Sequence, residues 1–375
     1  MTNSFPKVTI SFIPPLSILF LGLFISLQGC KKEVKEGAQS ELSKTDKDSK
    51  SLKNFMQVNL VGNNDEYDPV RIDPLLVNAW GIAFSPTGTA WISAQGTGVS
   101  TVYNKDGNQV LPAVQIPSPR GASGGNPTGQ VFNASRGFRL PTNRNPARFI
   151  FVNLDGVISG WNGGAAAIAV KNNNPDVYTG VAIARNGVDS FLYVADFRDG
   201  EIEVYDTAWN PVSMPFSDPD LPAGYAPFNI QNIDNKLYVM YAKQAIGPAE
   251  TGPGLGFVNI YNSNGTLVNR FASRGQLNAP WGVAKAPASF WGTAATANVI
   301  LVGNFGDGRI NAFDENGIFL GQLRASGNPI VIEGLWAITF APPTATAINP
   351  NWLYFAAGPD DEEEGLFGYI TRSDE

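Results

Sequence analysis

Histidine is absent from this 375-residue chain, and cysteine occurs once, at Cys30. Without histidine there is no Ser-His-Asp triad, no imidazole general base and no histidine-ligated zinc or iron. One cysteine excludes an intrachain disulfide framework. Charge is sparse as well, at 16% of residues, which suits a sheet-rich exported protein better than a helical cytosolic one. Any chemistry is left to carboxylates, lysine, tyrosine or a hard cation held by oxygen.

The N-terminus carries a different signal. Lys7 supplies a positive charge, and residues 16–27 (LSILFLGLFISL) form an apolar run of twelve. That run is too short to span a bilayer and has the proportions of a signal peptide. It ends in Leu27-Gln28-Gly29-Cys30, which resembles a bacterial lipobox, with Gln28 in place of the usual small residue. The resemblance implies cleavage before Cys30 and a lipid on that residue. An ordinary secretory signal beside a chance cysteine is the other reading, and both predict export. Residues 31–53 hold seven Lys and five Asp or Glu with no aromatic. Such a segment cannot bury a core and is expected to be a disordered tether, about 25 Å from end to end. Lys31 follows the cysteine, so the aspartate that retains enteric lipoproteins at the inner membrane is missing. The outer membrane or the cell surface is the expected location.

Removing residues 1–53 leaves 18 basic and 28 acidic residues in 54–375, a net charge of −10. A domain this acidic does not suit nucleic acid, or an anionic membrane surface beyond the lipid anchor. A monomer is expected.

Within 54–375 one pattern recurs six times. A short turn leads into NAWGIA (from Asn78), NPTGQV (from Asn126), VYTGVA (from Val177), APFNIQ (from Ala226), APWGVA (from Ala279) and GLWAIT (from Gly334). Aligned on Trp80, Thr128, Thr179, Phe228, Trp281 and Trp336, the copies lie 48, 51, 49, 53 and 55 residues apart. Each copy carries a later aromatic: Tyr103, Trp161, Tyr205, Tyr261, Phe313 and Tyr369. A fixed period of this length, filled with short apolar runs and Asn-Gly, Asp-Gly and Asn-Pro turns, reads as four strands per unit. Six units make an all-β, six-bladed propeller, a single domain over 54–375. The last unit lacks a fourth strand, and MQVNLV (56–61) is an unpaired strand ahead of the first. Pairing the two closes the ring and removes two sheet edges. Gly81, Gly129, Gly180, Gly282 and Ala337 give the inner strands room at the axis, with Asn229 as the exception. The later aromatics are expected to pack between blades.

The strings NAWGIAFSPTGTAWIS, LPAGYAPFNIQ, LNAPWGVAKAP, LVGNFGDGRINAFD and IEGLWAITF followed by FAAGPDDEEEGLFG resemble a family of exported bacterial six-bladed propellers related to NHL-repeat proteins. The resemblance covers nearly all of 57–370. It implies the propeller fold and export, and it brings no catalytic residues.

Propeller geometry puts the entry loops and the turns between second and third strands on one face. There Asn78, Asn126, Tyr178, Tyr225, Asn278 and Glu333 meet Asp155, Asp199, Asp307 and the run Asp360, Asp361, Glu362, Glu363 and Glu364. Such an oxygen-rich ring is able to hold Ca²⁺. Its arrangement is similar to that of gluconolactonase-like propellers, and Glu333, Asn278, Asn126 and Asp307 form the candidate metal set of a lactonase-type hydrolase. The same residues also serve as ordinary turn formers, and the acidic run as a solvated loop. A second candidate is the Pro-, Gly- and Arg-rich stretch 117–148, whose Arg136 and Arg139 suit an anion or a polyanionic glycan, with a solvated loop as the other reading. A third is the glycine-rich insert 244–255, which lacks the Gly-Lys-Ser/Thr of a phosphate loop and is placed to cover the channel mouth. The leading reading is a protein- or glycan-binding module of the cell envelope.

Overall fold

The computed structural model describes residues 52–246, 249–292 and 298–373. The signal peptide, Cys30 and all of the tether up to Ser51 lie outside the described residues. No helix among those described is long and apolar enough to cross a membrane.

The described chain is a ring of six antiparallel sheets, numbered here as blades 1 to 6. Blade 1 comprises Ala79–Phe84, Ala90–Ala94, Val99–Tyr103 and Gln109–Gln115. Blade 2 comprises Pro127–Phe132, Phe149–Asn153, Val157–Trp161 and Ile168–Asn172. Blade 3 has Tyr178–Asn186, Asp189–Asp196 and Glu201–Tyr205. Blade 4 has Tyr225–Ile233, Lys236–Lys243, Phe257–Asn262 and Leu267–Ser273. Blade 5 has Pro280–Lys285, Ile300–Asn304, Ile310–Phe313 and Phe319–Gln322. Blade 6 has Leu335–Phe340, Leu353–Ala357 and Leu366–Arg372. The first strand of each blade touches the first strand of the next, and blade 6 touches blade 1, so these six line the axis.

The ring closes as the sequence predicts. Phe55–Gly62 pairs antiparallel with Leu366–Arg372, from Phe55 opposite Arg372 to Gly62 opposite Leu366, and supplies the fourth strand of blade 6. The fold begins earlier than composition indicates. Leu52, assigned to the tether, is buried beside Phe55 in the core between blades 5 and 6, and its carbonyl accepts the Arg324 N–H.

Blade 3 departs from the four-strand pattern. Its expected fourth strand is reduced to one bridge, Tyr205 to Pro211, and one further bond from the Val212 N–H to the Val204 carbonyl. Pro211, Pro215, Pro219 and Pro222 remove the donors that a regular ladder needs.

Packing at the axis explains the small residues. A Cβ built on Gly81 falls 2.4 Å from the Thr128 carbonyl oxygen, and one on Gly129 falls 2.8 Å from the Val181 nitrogen. On Gly180 it meets Asn229 Oδ1 at 2.1 Å, and on Gly282 the Ile338 nitrogen at 2.6 Å. Asn229, the exception to the small-residue rule, fills the space that Gly180 leaves. Its Nδ2 donates to the Trp281 carbonyl at 2.8 Å. Most of the later aromatics do join blades. Trp161 of blade 2 packs on Trp91 of blade 1 at 4.8 Å. Tyr103 of blade 1 stacks with Phe367 of blade 6, and Phe313 of blade 5 meets Phe271 of blade 4. Tyr369 is the exception, stacking on Trp352 of its own blade.

Two outcomes follow from this construction. Deleting residues 54–62 bares the Leu366–Arg372 edge of blade 6 and removes Phe55 from the core around Leu52, so cooperative thermal unfolding is expected to vanish; a variant melting like the parent would refute the closure. Gly180→Ala drives a methyl group into Asn229 and is expected to cost about 1–3 kcal/mol, read from the denaturant midpoint, whereas a value near zero would show that the inner strands do not need this approach.

Candidate functional site

The two ends of the axis differ. At the end carrying the entry loops, bulky side chains from the starts of the inner strands fill the centre. Trp336 stacks on Trp80 at 3.6 Å and on Phe305 at 4.0 Å. Phe228 and Trp281 approach the same ring at 5.6 and 6.1 Å, and Phe197 packs on Phe228 at 4.9 Å. Trp281 Nε1 crosses the axis to donate to the Thr179 carbonyl at 3.1 Å. Stacked and edge-on aromatic pairs of this kind add about 0.5–1.5 kcal/mol each beyond their buried area. The result is an apolar plug.

A polar arc runs around this plug through blades 6, 1 and 2. Asn78 Nδ2 donates to Glu362 Oε2 at 2.7 Å and to Gln95 Oε1 at 2.9 Å. Gln95 Nε2 donates to Asn126 Oδ1 at 3.1 Å, and Asn126 Nδ2 to Asp155 Oδ2 at 2.8 Å. Trp336 Nε1 donates to Asn78 Oδ1 at 3.0 Å, which ties the arc to the plug. The acidic run belongs partly to this arc. Asp360, Asp361 and Glu362 all adopt positive φ, and Glu364 Oε2 accepts from Asn64 Nδ2 at 2.6 Å. Burial raises the Glu362 carboxyl above the ordinary glutamate range, and the bond from Asn78 pulls it back part of the way.

The candidate metal set is dispersed among other partners. Asn126 is engaged by Asp155 and Gln95. Asn278 Oδ1 accepts the Gly252 N–H of the 244–255 insert at 2.7 Å. Asp307 Oδ1 accepts from Asn304 Nδ2 at 3.0 Å. Glu333 is exposed on the loop entering blade 6. No hydrogen bond joins any of these four to another. Among the described residues, one trio of acids does converge: Asp176, Asp196 and Asp199 of blade 3, with one oxygen from each within 4.8 Å of the others. Asp196 is fully buried. Burial pushes its carboxyl up to about 6, against the N–H bonds it accepts from Asp199, Val177 and Arg198.

The other end of the axis is open. A cavity of 940 Å³ runs down the later halves of the inner strands to a floor that includes Trp281, Gln130 and Asn229. Gln130 is held there by Nε2 bonds to the Gly81 and Trp91 carbonyls, both at 2.8 Å. Phe84, Phe132 and Phe340 stand on the walls, and Arg136 and Arg185 are the charged lining residues. Both arginines are exposed at the rim, and no acid pairs with either among the described residues. Asp234, on a nearby turn, is taken up by Lys285 at 2.5 Å.

Arg136 is thus brought to the cavity, whereas Arg139 is not. Arg139 Nη1 caps the Arg144 carbonyl at 2.7 Å, and its own carbonyl accepts from Trp209 Nε1. The stretch that holds both arginines is only partly solvated: Phe138, Leu140 and Ala147 are core residues between blades 2 and 3. Sequence reasoning missed this cavity because it weighed polar residues ahead of the inner strands. The size pattern along the strands did not reveal it, because three inner strands end in Phe84, Phe132 and Phe340, and blades 2 and 3 carry Thr128 and Thr179 where the other four carry a ring.

No family model matches the chain. The fold is similar to that of a protein of unknown function from Bacteroides thetaiotaomicron, at a TM-score of 0.53 and 10% identity over 84% of this chain and 76% of that one. Virginiamycin B lyase from Staphylococcus aureus covers 84% of this chain and 98% of its own at 14% identity and a TM-score of 0.47. Among curated proteins the similarity is stronger. Uncharacterized protein R648 of Acanthamoeba polyphaga mimivirus is 34% identical over 334 residues, 84% of this chain and 80% of that protein. Uncharacterized protein L690 of the same virus is 33% identical over 336 residues, 84% of this chain and 86% of that protein. These relatives are viral and lend no support to the bacterial and exported side of the resemblance seen in the sequence. At this identity and coverage the chain belongs to the family that contains these two uncharacterized mimivirus proteins.

Proposed function

We propose that this protein is a non-catalytic binding propeller that takes the acidic end of a glycan into its axial cavity. The observation that carries this reading is the composition of the cavity wall. Its charged members are Arg136 and Arg185, and it contains no Asp, Glu, Lys, Tyr, Cys or His. A hydrolase of glycosidic bonds needs a pair of carboxylates, and a proton transfer needs a group that titrates near the working pH. Arginine keeps its proton throughout, and its planar fork matches a carboxylate or sulfate in two parallel bonds. Phe132 and Phe340, both half-buried, offer apolar surface to sugar rings, and Ser190 offers a hydroxyl, while the amides of Asn232 and Asn235 are held by Ile183, Arg185 and each other. The cavity volume falls in the ordinary range for ligand sites.

The lactonase-type alternative requires Glu333, Asn278, Asn126 and Asp307 to gather around a metal at the plugged end. There Asn126, Asn278 and Asp307 already have other hydrogen-bond partners, and aromatic rings pack at the centre.

We further propose export and anchoring through Cys30. This rests on the apolar run of 16–27 and on Leu27-Gln28-Gly29-Cys30. The 31–51 segment is then the tether that leaves the cavity free to meet a ligand at the cell envelope. When the full chain is made in a bacterial host, the wild type is expected to enter the detergent phase in a cloud-point partition and Cys30→Ser the aqueous phase. Equal partitioning of the two would exclude the anchor.

The cavity reading is tested with a panel of immobilised neutral and uronic-acid oligosaccharides. Acidic members are expected to bind at least about tenfold tighter than neutral ones. The Arg136→Ala/Arg185→Ala variant is expected to lose about tenfold or more, the scale of one or two charge-assisted bonds. Equal binding of neutral and acidic sugars, or a double variant that binds as the wild type does, would overturn it.

A further inference from the structure

We propose that Asp176, Asp196 and Asp199 hold a hard divalent cation, Ca²⁺ in the first instance, at the corner of blade 3. The site lies at the plugged end of the axis, so it stands apart from the glycan cavity and is tested separately.

Proximity of three acids alone would not point to a ligand. The decisive feature is what Asp196 does differently from its counterparts. The second strands of blades 2 and 5 end in Asn153 and Asn304. At both corners the amide nitrogen is used. Asn153 Nδ2 donates to the Pro117 carbonyl at 3.0 Å, and Asn304 Nδ2 donates to the Gln276 carbonyl at 2.7 Å. Asn153 Oδ1 meanwhile accepts the Asp155 and Val157 N–H groups of the following turn.

The second strand of blade 3 ends in Asp196 instead. Its Oδ1 repeats the turn, accepting the Arg198 N–H at 2.9 Å, the Asp199 N–H at 3.2 Å and the Val177 N–H at 3.3 Å. Its Oδ2 stands where the other corners present a donor. That oxygen is fully buried and has no hydrogen-bond partner. A buried unpaired carboxylate oxygen is costly unless a proton or a cation meets it. One oxygen each of Asp176 and Asp199 lies within 4.8 Å of an oxygen of Asp196, and this added negative charge makes a cation the natural complement.

The neighbouring positive side chain does not fill this role. Arg198 Nη1 donates to the Pro175 carbonyl at 2.6 Å, and its Nε stands 3.9 Å from Asp199 Oδ1. Its guanidinium makes no bond to Asp196. Tyr178 OH donates to Glu203 Oε2 at 2.7 Å and lies farther from Asp176 Oδ2, at 3.2 Å, so it does not tie up the Asp176 carboxylate. Three carboxylates from a rigid strand end, an entry loop and a turn fit the oxygen preference of Ca²⁺, whose remaining positions water completes. The cation would tie the entry loop of blade 3 to its second strand.

The experiment compares the full-length wild type with Asp196→Asn and Asp199→Asn, in EDTA and in about 5 mM Ca²⁺, above the weakest range of extracellular calcium modules. Melting and isothermal titration calorimetry are the readouts. The wild type is expected to gain about 4 °C at a hundredfold excess over Kd. Asp196→Asn is expected to fold without Ca²⁺, because Asn already serves at the same corner of blades 2 and 5, and to show no response. Asp199 is exposed, so Asp199→Asn tests the site with little risk to folding and is expected to weaken Ca²⁺ binding about tenfold or more. A wild type with neither shift nor heat would overturn the proposal. So would variants that respond as the wild type does, since the ion would then sit elsewhere.

Discussion

Six strands have to run side by side around one narrow axis, and this constraint sets most of what the molecule is. Adjacent backbones come so close that a methyl group on Gly81, Gly129, Gly180 or Gly282 would strike a neighbouring strand. Where the strands begin, the remaining space is filled by Trp80, Phe228, Trp281 and Trp336. Where they end, Phe84, Phe132 and Phe340 stand on the walls and the ring opens into the cavity. The plug and the cavity are therefore two results of one packing problem. A wide polar channel through the axis would forfeit the aromatic contacts that hold the inner strands together.

The polar residues at the blade corners answer a second need, the satisfaction of backbone groups where the chain turns. Asn153 binds a turn through Oδ1 and a neighbouring loop through Nδ2, whereas Asn304 makes both contacts through Nδ2. Asn78, Gln95 and Asn126 extend the same logic into an arc between blades. Even the densest acidic segment contributes, through Glu362 and Glu364, to joining the two ends of the ring. An oxygen-rich loop face is thus the ordinary consequence of building corners from amides and carboxylates. Asp196 draws interest because its buried oxygen without a partner belongs to a carboxylate, whereas the one at Asn304 belongs to a neutral amide.

Much of the architecture was legible in the sequence because it is periodic. The blade register, the small residues at the axis and the closing strand at Phe55–Gly62 all follow from laying six copies side by side. What was not legible lies where one copy differs from the others. The fourth strand of blade 3 fails because prolines occupy its donor positions, a local chemistry that the repeat hides. Leu52 and Phe138 sit in polar stretches, and only tertiary contacts show that they are core. The cavity was missed for a related reason. Its wall is made of ordinary strand residues, Val131, Val181, Ile230 and Ile338 among them, and only its rim carries charge. Spacing reveals which residues face the axis, but not at which end the axis is blocked.

The two ends also differ in electrostatic character, and this bears on any ligand. The chain is acidic overall, with 33 Asp and Glu against 26 Lys and Arg, so a ligand of negative charge meets a repulsive long-range field. At physiological ionic strength that field is screened beyond roughly 8 Å. Inside the cavity mouth the nearest charges are Arg136 and Arg185, and Lys285 already takes up the neighbouring Asp234. Local complementarity can therefore favour an anion that net charge alone would exclude. The low-dielectric walls of Phe84, Phe132 and Phe340 strengthen that local attraction, since fewer water dipoles oppose it there. Net charge argues against nucleic acid and extended polyanions, which would have to lie across the acidic surface. It does not argue against a small acidic group inserted end-on, and that distinction favours the cavity over the acid-rich face for the proposed ligand.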